Sequence, residues 1–318
     1  MAAMPFASVP ASAAPADYAI TARWNLPGSG GWDYLSVDSP RHRLFVTHGD
    51  HVDVVDTATG KRIGGIAATP GVHAVVLAPD LHRGFTTNGR NNSITEFDYD
   101  SLAVLRTVAV PGENPDAGLY DPDTQLLFTF NGRSKDASVF DARSLTVRAR
   151  IALPGKPEFA VRDGHGRVFV NIESEVGKIA VIDTKTLKRS AVWSLATCVE
   201  PSGLAIDLER RRLFSVCDNR TLAITDARSG AGIARVAIGA EPDAVAWDAA
   251  RGLVFSSNGE GTLSIVRMDP AGTYAAAATL PTLPGARTLA MDPISGRLYL
   301  VSARFGPPAA PSAAPPPP

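Results

Sequence analysis

Residues 85–98 read FTTNGRNNSITEFD, and residues 128–141 read FTFNGRSKDASVFD. Both stretches open on Phe-Thr, carry Asn-Gly-Arg at the same offset and end in Phe-Asp. Asn and Gly tolerate the positive φ angles of tight hairpin turns, and the flanking residues are rich in strand-forming types. Each stretch is therefore predicted to be a β-hairpin, and their likeness predicts an internal repeat.

The repeat runs through the chain in seven units. In each unit a short apolar strand is followed by a turn and then by a second strand that carries an aromatic residue near its start. The aromatic residues are spaced by 40, 43, 41, 45, 41 and 44 residues, at Phe45, Phe85, Phe128, Phe169, Phe214, Phe255 and Tyr299. Seven units of this length, each with four short antiparallel strands, are typical of a seven-bladed, all-β propeller. The aromatic residues are interpreted as packing between blades.

The first and last parts of the repeat indicate how such a ring would close. Residues 18–26 have the pattern of the fourth strand in later units, so we expect them to form the outer strand of the last blade. The first two strands of that blade are expected at 286–292 and 297–303. No convincing third strand follows, because residues 304–318 run into proline, and the chain is therefore expected to be incomplete at its C-terminus.

Charge and composition limit the classes of function. The net charge is −1, which gives no overall field to attract nucleic acid or an anionic membrane, and no run of 18 apolar residues predicts a membrane span. Residues 1–17 resemble the second half of a secretory signal, the alternative being a disordered leader, and residues 306–318 form a Pro/Ala-rich tail predicted to be disordered. The predicted arrangement is a leader (1–17), a propeller (18–305) and a tail (306–318), in a monomeric protein that is periplasmic or secreted.

Two stretches link the repeat to a known family. FVTHGDHVDVVDTATGKRIGGI (45–66) and FSSNGEGTLSIV (255–266) resemble the YVTN-repeat, YncE-like bacterial propellers, and the resemblance covers roughly residues 18–305. The Gly-His and Trp-Asp placement of WD40 repeats is absent. The resemblance implies an exported propeller that binds a partner or ligand, without identifying that ligand.

Topology predicts where such a ligand would bind. In a four-stranded blade, the loop that enters the first strand and the loop between the second and third strands lie on the same face, around a central funnel. The Arg that follows Asn-Gly is not needed for the turn and is expected to point toward this funnel. The candidate ligand-binding residues are His48, His51, His73, Arg90, Asp116, Arg133, Glu158, Asp243 and Arg287.

Several functions remain open for this funnel. The preferred reading is a binding module for a protein partner or a small polar ligand. One alternative is a metal site, with ligands from His48, His51, His73, Asp116 and Glu158. No particular metal or other cofactor is assigned. An enzyme of lyase or lactonase type is another, with Asp116 or Glu158 as base. Single-stranded nucleic acid is a weaker alternative, because acidic residues share the funnel. No common nucleophile, phosphate-loop or zinc-protease motif supports catalysis.

The two cysteines fall at one edge of the fifth unit. Cys198 precedes its first strand and Cys217 ends its second strand. The start of one antiparallel strand lies beside the end of the next, and an exported protein would oxidise neighbouring thiols. A Cys198–Cys217 disulfide is therefore predicted.

Overall fold

The computed structural model describes residues 18–304, and the predicted leader 1–17 and tail 306–318 lie outside these residues. The described part is built from 26 β-strands, with no α-helix among residues 18–304 and two short 3-10 turns at Ser39–Arg41 and Pro79–Leu81. Accordingly, no helix in this range is long and apolar enough to cross a membrane.

The strands form six four-stranded antiparallel sheets, the blades, and one sheet of two strands. Blades 1 to 3 contain β1 Leu35–Asp38, β2 Arg43–His48, β3 His51–Asp56, β4 Arg62–Ile66, β5 Val72–Ala78, β6 Arg83–Asn88, β7 Ser93–Asp98, β8 Val104–Ala109, β9 Pro115–Asp121, β10 Leu126–Asn131, β11 Asp136–Asp141 and β12 Val147–Ala152. Blades 4 to 6 contain β13 Lys156–Arg162, β14 Arg167–Glu173, β15 Lys178–Asp183, β16 Lys188–Ser194, β17 Pro201–Asp207, β18 Arg212–Cys217, β19 Thr221–Asp226, β20 Gly232–Ala237, β21 Pro242–Asp248, β22 Leu253–Asn258, β23 Thr262–Met268 and β24 Tyr274–Pro281. The two-stranded sheet pairs β25 Leu289–Met291 with β26 Leu298–Leu300.

The propeller prediction is confirmed, but the prediction of seven four-stranded blades is wrong. Residues 18–304 form six complete blades, and within this range the seventh unit contributes the β25–β26 pair alone. The first strands of successive blades lie side by side around the ring, and β25 lies against both β21 and β1. The short sheet therefore fills the gap between blade 6 and blade 1.

The predicted N-terminal strand is also wrong. Residues 18–26 form no strand and lie against the ring through their side chains. The Tyr18 ring packs on Phe255 of blade 6, and the Trp24 ring packs on Tyr299 of the short sheet. An outer strand of a blade hydrogen-bonds to the third strand, and no third strand follows β26 within the described residues. The segment consequently has no strand edge with which to pair.

The apolar core lies between neighbouring sheets. Phe45, Phe85 and Phe128 are almost completely buried, as are the equivalent residues of the next three blades. Phe45 contacts Phe97 of blade 2, and Phe214 stacks on Trp247 of blade 6. The prediction that these aromatic residues pack between blades is confirmed.

The predicted disulfide is present. Cys198 and Cys217 are bonded, with their Cα atoms 5.3 Å apart, and both residues are buried. The bond attaches the loop before β17 to the end of β18. A closed loop of this size contributes about 3 kcal/mol to stability in the chain-entropy description.

Candidate functional site

One position in each of blades 2 to 6 directs a side chain toward the channel entrance. Near its start, each first strand breaks its register with the second strand, between Val72 and Ala74 in blade 2 and between Pro242 and Ala244 in blade 6. Such β-bulges re-aim side chains and are common beside functional sites. The residues in these breaks include His73, Asp116, Glu158, Ser202 and Asp243.

Tyr34 connects blade 1 to blade 4 beside these residues. It precedes β1 in blade 1 and is 6% exposed. Its hydroxyl donates to Glu158 Oε2 of blade 4 at 3.4 Å, and its ring meets the edge of Phe159 at 5.2 Å between centroids. Tyr34 therefore forms one cluster with these residues and their ionic partners. We call this cluster the channel mouth: Asp33, Tyr34, His73, Asp116, Lys156, Glu158, Glu173, Asp243 and Arg287.

On one side of the channel mouth, His73 is held between two carboxylates. His73 Nδ1 lies 2.6 Å from Asp33 Oδ2 and 3.7 Å from Asp116 Oδ1. Burial lowers the pKa of His73, but the hydrogen bond to Asp33 and the charge of Asp116 outweigh it and raise the pKa to about 9. His73 is therefore an imidazolium at neutral pH, and its Nδ1–H donates to Asp33.

Lysine and arginine pair with the remaining carboxylates. Lys156 Nζ lies 2.6 Å from both Glu158 Oε1 and Glu173 Oε2. Arg287 Nε donates to Asp243 Oδ2 at 3.0 Å. The burial of Lys156 lowers its pKa, but Glu158 and Glu173 raise it above the ordinary lysine value overall. The channel mouth thus holds five acidic side chains and three basic ones.

Three of the acids have raised pKa values. Burial is the main cause for each and raises the pKa of Asp116, Glu158 and Asp243 to about 7. The charge of His73 opposes this for Asp116, Lys156 opposes it for Glu158, and Arg287 opposes it for Asp243. The channel mouth therefore gains negative charge as the pH rises through neutrality.

The Asn-Gly pairs of the opening motif have a different role from the predicted one. Neither Gly89 nor Gly132 has a positive φ, and the turn is made further on, where Asn92 has φ 52° and Lys135 has φ 55°. Glycine is required at position 89 for space, because a Cβ there would lie 2.5 Å from His73 Nε2.

The asparagine of the motif is a buried hydrogen-bonding centre. Asn131 is 0% exposed; its Nδ2 donates to Asp136 Oδ1 at 2.6 Å and to Ser138 Oγ at 2.9 Å, and its Oδ1 accepts from Thr129 Oγ1. Asn88 and Asn258 make the equivalent bonds in their own blades. The repeated motif therefore stabilises the blade.

Two of the predicted arginines lie on exposed loops near the channel mouth. Arg90 N donates to Pro70 O, and Arg133 N donates to Glu113 O, which places both loops beside the strand entrances. Their side chains are exposed. Of the predicted residues, the structure thus groups His73, Asp116, Glu158, Asp243 and Arg287 closely, with Arg90 and Arg133 outside that group.

His48 and His51 belong to a separate cluster. They group with Asp53 on the hairpin of blade 1, whereas His73 groups with Asp33 and Asp116. The predicted metal-binding set of five residues is therefore divided between two places.

Sequence reasoning missed Asp33 and Lys156 of the channel mouth and Asp53 of the separate blade 1 cluster. A signal for Lys156 was present, since Lys156 and Glu158 are two residues apart on β13 and side chains at this spacing share one face. A second signal is the proline that precedes the inward-facing residue in Pro115-Asp116, Pro157-Glu158, Pro201-Ser202 and Pro242-Asp243.

Comparison with known proteins identifies the fold only. No protein-family model matches the chain, and no curated protein matches it. Three similar solved structures each have a TM-score of 0.75: Kuenenia stuttgartiensis hydrazine synthase (15% identity, 90% of this chain and 99% of that chain), U3-55K (10%, 87% and 90%) and a chain of the mitotic checkpoint complex (16%, 94% and 96%). At these identities the likeness supports a propeller and carries no activity over to this chain.

Proposed function

We propose that this protein is a binding module whose channel mouth recognises a positively charged group, carried by a small polar ligand or by a side chain of a partner protein. We further propose that it is an exported, monomeric relative of the YVTN-repeat propellers. The blade pattern supports the family assignment, and the Cys198–Cys217 disulfide is compatible with an extracellular location.

The observation that carries the proposal is the excess of buried carboxylates at one entrance of the channel. Asp116 and Glu158 are 8% and 7% exposed, and the hydroxyl of the buried Tyr34 donates to Glu158. The channel mouth has two more acidic than basic side chains, so two further positive charges are needed to balance it when all of its acids are ionised. An ammonium or guanidinium group would supply charge-assisted hydrogen bonds worth about 1.5–3 kcal/mol each.

Calorimetric titration at pH 8 tests the proposal, with agmatine and spermidine as probes. We expect wild type to bind at least one probe, and Asp116→Asn or Glu158→Gln to weaken binding by about tenfold or more. Glu209→Gln is the matched control, since the Glu209 side chain is 80% exposed in the turn after β17, and it should bind as wild type does. Equal binding by all four proteins would place the site elsewhere.

A second candidate is an enzyme of lyase or lactonase type at the same place. The observation that favours it is the proximity of the His73 imidazolium to Asp116, whose pKa of about 7 suits general acid–base catalysis at neutral pH. Turnover of a lactone or uronate that is lost in both Asp116→Asn and His73→Gln would support the enzyme. The same acidic residues disfavour single-stranded nucleic acid as the ligand.

A further inference from the structure

The hairpin of blade 1 brings two histidines and an aspartate together away from the channel mouth. His48 ends β2 and His51 begins β3, and the two residues are direct cross-strand partners, so their side chains lie on the same face of the sheet. Asp53 is two residues beyond His51 on β3 and therefore faces the same way. The turn between the histidines is Gly49-Asp50, with Gly49 at φ 62°.

The three side chains converge on one point. His48 Nδ1 lies 3.1 Å from Asp53 Oδ2, and His51 Nε2 lies 3.7 Å from the same oxygen. Tetrahedral zinc, with bonds of about 2.0–2.1 Å, separates its ligand atoms by about 3.3 Å. The observed separations lie on either side of that value, and one atom from each residue falls within 4.8 Å of the other two.

Neighbouring groups hold each of these side chains in place. Asp50 Oδ1 lies 2.9 Å from His51 Nδ1, an arrangement that fixes the Nδ1–H tautomer and leaves the Nε2 lone pair directed toward Asp53. Arg62 Nε donates to the other oxygen of Asp53, which leaves Oδ2 for the cluster.

Two further features limit the movement of the cluster. Asp53 is 2% exposed, so its carboxylate has little freedom. The glycine segment 28–31 passes over His48, and a Cβ on Gly28 would lie 2.6 Å from His48 Cε1. The His48 ring is therefore packed closely against the glycine segment.

We propose that His48, His51 and Asp53 form a binding site for a divalent transition metal of the zinc class, with Asp50 orienting His51. Two imidazoles and one carboxylate are ligands that suit zinc, and a set of three leaves a fourth position for water or an external ligand. The site uses none of the residues of the channel mouth and does not rest on the proposed function.

Zinc titration of the purified chain, followed by calorimetry, tests this assignment. Wild type should bind one zinc ion at this site, and His51→Ala should weaken that binding by at least about tenfold. Asp50→Asn should weaken it by about tenfold, as loss of an orienting partner typically does. Cobalt in place of zinc should give the visible absorption of a tetrahedral ion, and His51→Ala should remove it.

Two controls separate this site from other histidines. His82 has a carboxylate neighbour, Asp100, at 3.1 Å but lies on an exposed turn, so His82→Ala should bind zinc as wild type does. His165 is also exposed, in the turn between β13 and β14, so His165→Ala should also leave zinc binding unchanged. Absence of zinc binding in wild type, or binding that survives His51→Ala in a protein with wild-type thermal unfolding, would overturn the proposal.

Discussion

Asparagine 131 shows how a residue that looks like turn chemistry can instead be part of the core. Its amide connects three side chains on two strands of one blade, and the residue is 0% exposed. A buried polar group that loses its partner costs about 1–3 kcal/mol. The motif repeats because each of several blades needs the same internal bonds.

Replacing Asn131 by Ala should therefore lower the free energy of unfolding by about 2–4 kcal/mol, since Asp136 and Ser138 lose a shared donor. Arg133→Ala, two residues away on the exposed loop, should change it by no more than about 0.5 kcal/mol. Urea unfolding of the two variants and of wild type measures both changes in the free energy of unfolding. Similar losses in the two variants would contradict a structural role for the asparagine.

Asp116 should make stability depend on pH in an unusual direction. Its pKa is about 7 in the folded protein and about 3.9 in an unfolded chain. Between these values the folded protein keeps a proton that the unfolded chain has released, so the free energy of unfolding falls as the pH rises.

Asp116→Asn removes this titration. The variant should therefore gain stability relative to wild type between pH 5 and pH 8, by at least about 1 kcal/mol. Thermal or urea unfolding of the variant and of wild type at pH 5 and pH 8 gives the difference in stability between the two proteins at each pH. A gain in stability that is the same at pH 5 and pH 8 would show that Asp116 is ionised throughout, and a gain that is larger at pH 5 would also contradict the raised pKa.

The structure confirms the disulfide that was predicted from the sequence. This prediction was possible because the bond depends only on the pairing of two consecutive strands. A Cys198→Ser, Cys217→Ser double variant should lose about 3 kcal/mol of stability. Titration of unreduced, denatured wild type should find no free thiol. Two free thiols in protein recovered from the periplasm would contradict both the bond and the proposed export.

The N-terminal segment provides a second test of an element. Trp24 packs on Tyr299 with ring centroids 5.9 Å apart and lies against the Gly60 turn of blade 1, so it connects the short sheet to blade 1. Trp24→Ala should lower the unfolding free energy by about 1–2 kcal/mol. Ile20→Ala, in the same segment but with Ile20 50% exposed, is the control expected to have little effect.

Periodic features of the chain could be predicted, and features that depend on contacts across the ring could not. The spacing of Phe45 and its equivalents reveals the blades, since each aromatic fills the same kind of space between sheets. The hydrogen bond from the Tyr34 hydroxyl to Glu158 could not be foreseen, because it depends on blade 1 facing blade 4. The β-bulges that contain Glu158 and Asp243 have a local sequence signal, the proline that precedes each residue. The register in which the bulged strands pair has no such signal in the sequence.

Closure of the ring explains the two errors of fold. A strand pattern in residues 18–26 suggested a shared last blade, but pairing requires an edge as well as a pattern. With only β25 and β26 in the last sheet, that edge is missing from the described residues, and side-chain packing of Tyr18 and Trp24 takes its place. Local pattern alone cannot show whether a partner strand exists.

The ring as a unit brings acids from four sheets to one entrance, and the proposed binding function depends on their ionisation. Calorimetric titration of wild type with agmatine and spermidine at pH 6 and pH 8 measures this dependence. We expect tighter binding at pH 8, by about threefold or more, with release of protons at pH 6, because Asp116, Glu158 and Asp243 must ionise to receive the cation. Failure of both amines to bind at either pH, or binding that is tighter at pH 6, would contradict the account.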